Sequence, residues 1–233
     1  MRSITRRAAL VPLVLLGIYL LCYGRPSALE GGLLLPYTTH VPGERAIALT
    51  FDDGPDPVYT PQVLDVLERH GVKATFFVIG QHVDAHPKLI QRIAAAGHAV
   101  GSHGFSHTIL RGVWPSVIAT ELGLTDAAIA RAAGVRTRLF RHPGGMQGAF
   151  LPFMALAGGR RVVVWSVDPR DYTAPGAEEI ARRVLEAVHP GAIVLLHDGS
   201  PDGDQSREQT VAALPAILEG LRGRGYRFVH LGP

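Results

Sequence analysis

The chain has 233 residues, of which 47% are hydrophobic and 18% are charged. This length and composition suit one well-packed domain, and the chain is too short for two domains of ordinary size. The formal net charge of +3 comes almost entirely from arginine, and no basic stripe with interleaved aromatic residues occurs, which argues against a nucleic-acid partner.

The first predicted element is an apolar N-terminal segment. Three arginines within the first seven residues precede an apolar run over residues 8–23. Basic residues ahead of such a run favour a cytoplasmic N-terminus and place the following chain outside the cytoplasm. The run is short for a membrane span of about 20 residues and long for a signal-peptide core. We expect residues 1–24 to be either an uncleaved membrane anchor or a cleaved signal peptide, with the domain extracytoplasmic.

The segment after this run is predicted to connect it to the folded part of the chain. Cys22 is the single cysteine and lies in the apolar run, so the domain contains no disulfide bond. Residues 25–44 are predicted to be a linker, and residues 45–233 the folded domain.

Apolar runs and helical patterns then alternate along the domain. The runs that predict strands cover residues 46–51, 74–79, 98–102, 137–140, 162–167, 192–196 and 226–231. The helical patterns cover residues 61–70, 88–96, 115–133, 176–188 and 206–224, with a weaker one at 149–158. Seven strands separated by helices predict parallel pairing with right-handed crossovers. We expect an α/β fold, a TIM-like (β/α)7 barrel. The alternative is a doubly wound open sheet, but the Gly-rich phosphate loop typical of that fold does not follow the first strand.

Polar side chains follow five of the predicted strands. They are Asp52 and Asp53, His103 and His107, Arg141, Asp168 and Asp171, and His197 and Asp198. The carboxyl ends of the strands in a parallel barrel converge on one face, where enzymes of this architecture keep their active sites. The pattern therefore predicts one shared site, although the adjacent acids alone could also be a solvated Asp-Asp-Gly-Pro turn.

The histidine pair has the spacing of metal ligands. His103 and His107 are four residues apart, which places two imidazoles on one face of a helical turn. Two histidines and one aspartate with an open position suit a catalytic divalent ion. A second pair, His82 and His86, has the same spacing but no acid pair of its own, and it is predicted to be a solvated helix start.

Five motifs occur in order along the domain. They are Thr-Phe-Asp-Asp-Gly-Pro at 50–55, Gly-Ser-His-Gly-Phe-Ser-His at 101–107, Arg-His-Pro-Gly-Gly at 141–145, Asp-Pro-Arg-Asp-Tyr at 168–172 and Leu-Leu-His at 195–197. Together they resemble the motifs of the polysaccharide deacetylases, the NodB-homology family also called carbohydrate esterase family 4. The resemblance implies a distorted (β/α) barrel and metal-dependent removal of N-acetyl, sometimes O-acetyl, groups from glycans.

The resemblance also implies a role for each matching residue. Asp53, His103 and His107 would hold the metal, with Zn²⁺ expected and Co²⁺, Ni²⁺ or Mn²⁺ also compatible. Asp52 would be the general base, and His197 the general acid that protonates the departing amine. The residues with supporting roles would be Arg141, which keeps Asp52 ionised; Asp171, which orients Arg141 or His197; and Gly144 (through its backbone N–H), Pro143 and Tyr172, which contact the substrate or its oxyanion.

Three positions depart from the family pattern. Gly104 stands where Ser or Thr is usual, Gly144 where Tyr is usual, and Tyr172 where Trp is usual. These changes affect the expected substrate preference more than the expected activity. We therefore expect a hydrolase acting on an N-acetylated glycan such as peptidoglycan, a chitin-like oligomer or an exopolysaccharide. The alternatives are a glycan-binding barrel without turnover and an O-acetyl esterase acting on xylan-type polymers.

Overall fold

The computed structural model describes residues 37–110, 113–145, 155 and 157–232. The predicted N-terminal segment, most of the predicted linker and most of the weak helical pattern at 149–158 lie outside these residues. Within the described ranges, no helix is both long enough and apolar enough to cross a membrane.

The described residues form eight strands that pair in parallel. The strands are β1 (Tyr37–Thr38), β2 (Ala46–Asp52), β3 (Thr75–Val78), β4 (Ala99–Ser102), β5 (Leu139–Phe140), β6 (Arg161–Val163), β7 (Ile193–His197) and β8 (Arg227–Phe228). Their order is β1-β6-β5-β4-β3-β2-β7, with β8 paired to β2. A single bridge between Val167 and Val194 links the chain after β6 to β7. This is a parallel-strand half-barrel α/β fold, consistent with the predicted (β/α)7 barrel.

The helices lie between the strands along the chain. They are α1 (Tyr59–Arg69), α2 (Gly80–Ala85), α3 (Pro87–Ala95), α4 (Pro115–Ala133), α5 (Ala177–Ala187) and α6 (Glu208–Gly223). The five predicted helical patterns within the described ranges correspond to α1 and α3–α6. Helix α2 was not predicted, because six residues are too few to show a helical period.

The predicted runs at 137–140 and 226–231 form only the two-residue strands β5 and β8, and two further differences also concern strand length. The run at 162–167 becomes the three-residue β6, followed by the single bridge at Val167. Strand β1 lies inside the predicted linker and pairs with β6 through two residues, which is too short to produce an alternating pattern in the sequence.

The packing of strand β2 determines which of its side chains face the inside of the curved sheet. Ile47, Leu49 and Phe51 pack outward into the main core beneath the helices, where burial of each large side chain contributes about 1.5–3 kcal/mol. Ala46 and Ala48 face the other side and belong to the smaller cluster inside the curved sheet. Because side chains alternate along a strand, the same inner face continues through Thr50 to Asp52 at the carboxyl end.

Candidate active site

The carboxyl ends of β2, β4, β5 and β7 bring the predicted residues together. Asp52 ends β2 and lies in register with His197, which ends β7. His103 directly follows β4, and Arg141 directly follows β5. Parallel pairing therefore converts residues spread over almost 150 sequence positions into neighbours at one edge of the sheet.

Asp53, His103 and His107 form a three-ligand cluster. The Nε2 atoms of His103 and His107 lie 3.4 and 3.3 Å from Asp53 Oδ1. One ligand atom from each residue lies within 4.8 Å of the others. Asp53 has a left-handed backbone, with φ of 71°, which turns its side chain away from the direction that the strand would give it.

The chemistry of these donors fits a divalent metal ion. Asp53 Oδ1 is buried and has no hydrogen-bond partner in the part of the chain that the structure describes. Ligands about 2.0–2.1 Å from a tetrahedral ion are separated by about 3.3 Å, which matches the two separations from Asp53. His103 Nδ1–H donates to the Arg141 carbonyl at 2.8 Å, so its Nε2 is left free to bind a metal. Burial would raise the pKa of Asp53, but His103 and His107 outweigh it and lower that pKa.

The loop that carries both histidines is held from two sides. Glu121 of α4, a buried carboxylate, accepts the backbone N–H groups of Phe105 and Ser106 at 2.7 and 2.9 Å. On the other side, the first N–H groups of α2, from Gly80 and Gln81, donate to the carbonyls of Gly104 and Phe105 at 3.0 and 2.9 Å. Two amides and two carbonyls of the loop are thus satisfied by two helices.

Sequence reasoning missed Glu121 and the role of His82. Glu121 lies fifteen and sixteen residues from the amides that it binds, so no local motif signals it. His82 was predicted to be solvated, but it is half-buried and its Nδ1–H donates to the Asp53 carbonyl at 2.9 Å. That prediction was wrong for His82 because α2 packs its first turn against the carboxyl end of β2.

The geometry of the same loop explains why position 104 is a glycine. Its φ is +82°, and a Cβ at this position would lie 3.3 Å from Glu121 Oε2. A left-handed backbone next to a close carboxylate favours glycine. The hydroxyl that the family pattern places here is absent, and Glu121 supplies the contacts that steady the loop.

Arg141 and Asp52 form a buried ion pair inside the curved sheet. Arg141 Nη1 donates to Asp52 Oδ1 at 2.8 Å and to Thr50 Oγ1 at 2.7 Å. The guanidinium stacks over the Phe77 ring at 4.2 Å. Burial lowers the pKa of Arg141, and the Asp52 carboxylate opposes that effect. The pairing places a buried negative charge beside the buried positive charge of Arg141.

In the described part of the chain, Asp171 forms hydrogen bonds with His197 and none with Arg141. The Nδ1 of His197 lies 2.7 Å from Asp171 Oδ1, and the backbone N–H of His197 donates to Asp171 Oδ2 at 2.8 Å. Thr210 Oγ1 donates to the same carboxylate at 2.8 Å. Burial alone would lower the pKa of His197, but the charge of Asp171 outweighs it and raises that pKa to about 9. Of the two partners expected for Asp171, the structure therefore selects His197.

These groups open into one cavity of about 350 Å³, which we call the cleft. Tyr172 lines it with its ring edge-on to His197, the ring centroids 5.5 Å apart. Gly144 also lines the cleft, with Pro143 buried beside it. Trp165, which the sequence reasoning did not select, contributes an indole wall. The cleft thus retains an aromatic surface despite the glycine at 144 and the tyrosine at 172.

The remaining polar residues near the strand ends have other surroundings. Asp168 is exposed, lines the cleft and accepts the Arg170 N–H at 2.8 Å. Asp198 is buried, accepts the Thr60 hydroxyl at 2.5 Å, and burial raises its pKa to about 7. His142 is buried and, within the described residues, neither ring nitrogen has a hydrogen-bond partner.

Comparisons with known proteins point in one direction. A family profile described as polysaccharide deacetylase matches residues 39–151. A chitooligosaccharide deacetylase of Bradyrhizobium sp. (strain ANU 289) is 44% identical over 194 residues, which span 80% of this chain and 89% of the relative. A peptidoglycan-N-acetylglucosamine deacetylase of Bacillus cereus is 42% identical over 195 residues, spanning 82% and 89% of the two chains.

A solved structure gives the same result at the level of the fold. The crystal structure of a peptidoglycan N-acetylglucosamine deacetylase superimposes with a TM-score of 0.81 at 34% sequence identity. The superposition covers 84% of this chain and 91% of the other.

Proposed function

Because this chain belongs to the polysaccharide deacetylase family, we propose that it is a metal-dependent hydrolase that removes N-acetyl groups from an amino-sugar polymer. One observation carries the proposal: Asp52 and His197 lie in the same cleft as the cluster of Asp53, His103 and His107. Hydrolysis of an amide needs a base for water and an acid for the leaving amine, and both are present beside a metal site.

The three-ligand cluster would hold a divalent ion, and we propose Zn²⁺. Two imidazoles and one carboxylate with an open position form a suitable catalytic donor set for this ion. When bound, the ion supplies Lewis acidity that polarises the amide carbonyl and acidifies water.

Asp52 acts as the general base in this proposal. It accepts a proton from the attacking water while the water oxygen forms a bond to the carbonyl carbon. Arg141, 2.8 Å from Asp52 Oδ1, holds the carboxylate in position to accept that proton. The backbone N–H of Gly144 stabilises the negative charge that develops on the carbonyl oxygen, a contribution on the order of 3 kcal/mol.

His197 acts as the general acid. Its Nδ1–H is directed to Asp171, so Nε2 carries the proton that passes to the amide nitrogen as the carbon–nitrogen bond breaks. The products are acetate and a free amine. The raised pKa of His197, about 9, keeps the imidazole protonated at neutral pH.

The substrate that we propose is a polymer of N-acetylglucosamine, either a chitooligosaccharide or peptidoglycan. The named relatives act on these two glycans. Trp165 and Tyr172 offer flat apolar surfaces in the cleft, which suit a sugar face or an acetyl methyl group.

We also propose an extracytoplasmic location and a domain over residues 45–233, closed as a (β/α)7 barrel. The arginines ahead of the apolar run at 8–23 support export through an anchor or signal segment. The bridge between Val167 and Val194 supports closure of the barrel between the chain after β6 and β7.

Acetate release from chitooligosaccharide, peptidoglycan and acetylated xylan tests the function. We expect release from the N-acetylated glycans, lost by about 10²- to 10⁴-fold in Asp52→Asn and abolished in His103→Ala. His86→Ala is the matched control, because His86 lies outside the cleft, and it retains activity.

Three results would contradict the proposal. Full activity of Asp52→Asn would remove the base from the mechanism. Release from xylan alone would indicate an O-acetyl esterase. Glycan binding without acetate release under any divalent ion would indicate a binding module.

A further inference from the structure

A basic surface lies at the end of the domain opposite the cleft. Because the strands are parallel, the segments that lead into them share one end of the sheet, and the segments that follow them share the other. Among the described residues, the segments leading into β2–β8 together with the first residue of each of these strands contain eight Lys or Arg residues and one acidic residue, Glu44. The basic residues, which we call the basic end, are Arg45, Lys73, Arg136, Arg138, Arg160, Arg161, Arg224 and Arg227.

The charge of the basic end is largely uncompensated. Arg160 is half-buried and paired with Asp126; the other seven side chains are exposed. In the described part of the chain, none of those seven has a carboxylate oxygen within 4.0 Å. Arg45 and Arg161 donate to the carbonyl oxygens of Arg224 and Leu231, which do not neutralise a positive charge.

The cleft end has the opposite sign. The last residue of β2 and the described segments that follow the strands contain eight aspartates and three arginines. The aspartates are Asp52, Asp53, Asp56, Asp168, Asp171, Asp198, Asp202 and Asp204. The domain is therefore electrically polar along the strand direction, and an anionic surface attracts it by one particular end.

The chain enters the domain at the basic end. Tyr37, the first described residue, lines a cavity of about 820 Å³ together with Arg136, Arg138, Arg161 and His230. Only 13 residues separate Tyr37 from the apolar run at 8–23. They span at most about 45 Å when fully extended, and a domain of this size is itself about 40 Å across. A membrane that holds the apolar run would therefore lie within about one domain width of the basic end, where the chain enters.

We propose that the basic end docks on the anionic headgroups of the lipid bilayer to which the N-terminal segment leads, so that the cleft faces away from the membrane. Phosphate groups at the bilayer surface attract cationic side chains that lie within a Debye length, about 8 Å at physiological ionic strength. The same orientation presents the acidic cleft to a polymer beyond the membrane. The docking does not depend on the catalytic proposal.

The position of a fluorophore on the full-length chain tests this docking. In a Cys22→Ala background, the fluorophore is attached at His230→Cys, at the basic end, or at Ser206→Cys, near the cleft. The chain is reconstituted into vesicles of phosphatidylcholine, with or without phosphatidylglycerol, that carry a headgroup-linked quencher. We expect quenching at position 230 only with phosphatidylglycerol, reversed by high salt, and little quenching at position 206.

Charge-reversal variants distinguish docking through the basic end from attraction by the overall positive charge of the protein. Arg136→Glu with Arg138→Glu should weaken docking by at least about 25-fold, since each cation lost weakens it roughly fivefold. Arg170→Glu with Arg182→Glu changes the net charge equally at exposed positions away from the basic end, in the segment after β6 and in the middle of α5, and it should leave quenching at 230 intact. Far-UV circular dichroism reports that each variant is folded.

Three outcomes would overturn the docking. The first is equal quenching at positions 206 and 230. The second is an equal loss of quenching in both double variants. The third is no quenching at 230 in phosphatidylglycerol vesicles while the chain binds soluble poly(glycerol phosphate), which would assign the basic end to an anionic polymer.

Discussion

At the residue scale, the partner of a side chain decides its chemistry. His197 is buried, which alone would lower its pKa, yet Asp171 raises that pKa to about 9. Arg141 is also buried, and its charge is matched by one carboxylate, that of Asp52. The family motifs identified both residues in the sequence. Only the structure shows that Asp171 pairs with His197 and Asp52 with Arg141.

Replacing Asp171 by Asn should move the alkaline limb of kcat/KM to lower pH. Without the carboxylate, burial dominates, and the pKa of His197 falls from about 9 towards or below 6.5. The protonated acid is then lost at lower pH, and we expect a shift of at least about one pH unit. Asp202→Asn, an exposed change, is the control. A pH profile of kcat/KM that does not move would contradict the assigned pairing.

His142 should make the protein less stable in mild acid. Its ring is buried without a hydrogen-bond partner among the described residues, and burial lowers its pKa to about 4. The unfolded chain binds this proton near pH 6.5, so stability is complete above pH 6.5 and falls as the pH drops towards 4. The maximum loss is roughly 3 kcal/mol.

Denaturant unfolding of His142→Leu at pH 7 and pH 4 measures this contribution. The variant should lose roughly 3 kcal/mol less than the natural chain over this interval. At pH 7 it should be as stable or more stable, because it removes two buried ring nitrogens that have no hydrogen-bond partner among the described residues. The exposed His189→Leu is the control. Parallel pH dependence in the natural chain and His142→Leu would show that His142 is not the titrating group.

At the element scale, the loop between β4 and α4 depends on helices on both sides. Two of its carbonyls accept hydrogen bonds from the first turn of α2, and two of its amides donate to Glu121 of α4. The histidine spacing was readable from the sequence because both ligands are on one short loop. The support was not readable, because α2 is too short to show a period and Glu121 acts from a distant helix.

Gly80→Ala should weaken metal binding without touching a ligand. An added Cβ would overlap Phe105 Cδ2 and lie 3.1 Å from its Cα, so the histidine loop must shift. Changes to groups that support ligands typically cost about 10- to 100-fold in metal affinity, which competition with a chromophoric chelator measures. Gly123→Ala in α4 is the matched control, since its Cβ meets nothing within 4 Å. Equal affinities in the two variants would contradict this account.

At the scale of the whole molecule, the metal should contribute to stability as well as chemistry. Asp53 Oδ1 is buried without a hydrogen-bond partner among the described residues, so the folded chain has a strong preference for a cation there. A ligand at 100 times its Kd adds about 2.7 kcal/mol to the free energy of unfolding. For a domain of this size that is a rise in Tm of about 5–10 °C.

Calorimetry with excess Zn²⁺ and with a chelator tests this linkage. The Tm of the natural chain should fall by several degrees on chelation, and the Tm of His107→Ala should respond much less because one ligand is missing. A Tm that is independent of metal in the natural chain would show that the cluster holds no ion tightly.

The sequence by itself determined the parallel α/β class, the strand ends that carry polar residues and the family to which the chain belongs. These features are local, because each depends on a run of apolar residues or on a motif of a few adjacent positions. Only the tertiary structure decided that Asp171 serves His197, that Glu121, His82 and Trp165 belong to the site, and that the two ends of the domain carry opposite charge. Hydrogen bonds, burial and surface charge depend on which distant segments pack together, and one sequence without its fold does not specify those distances.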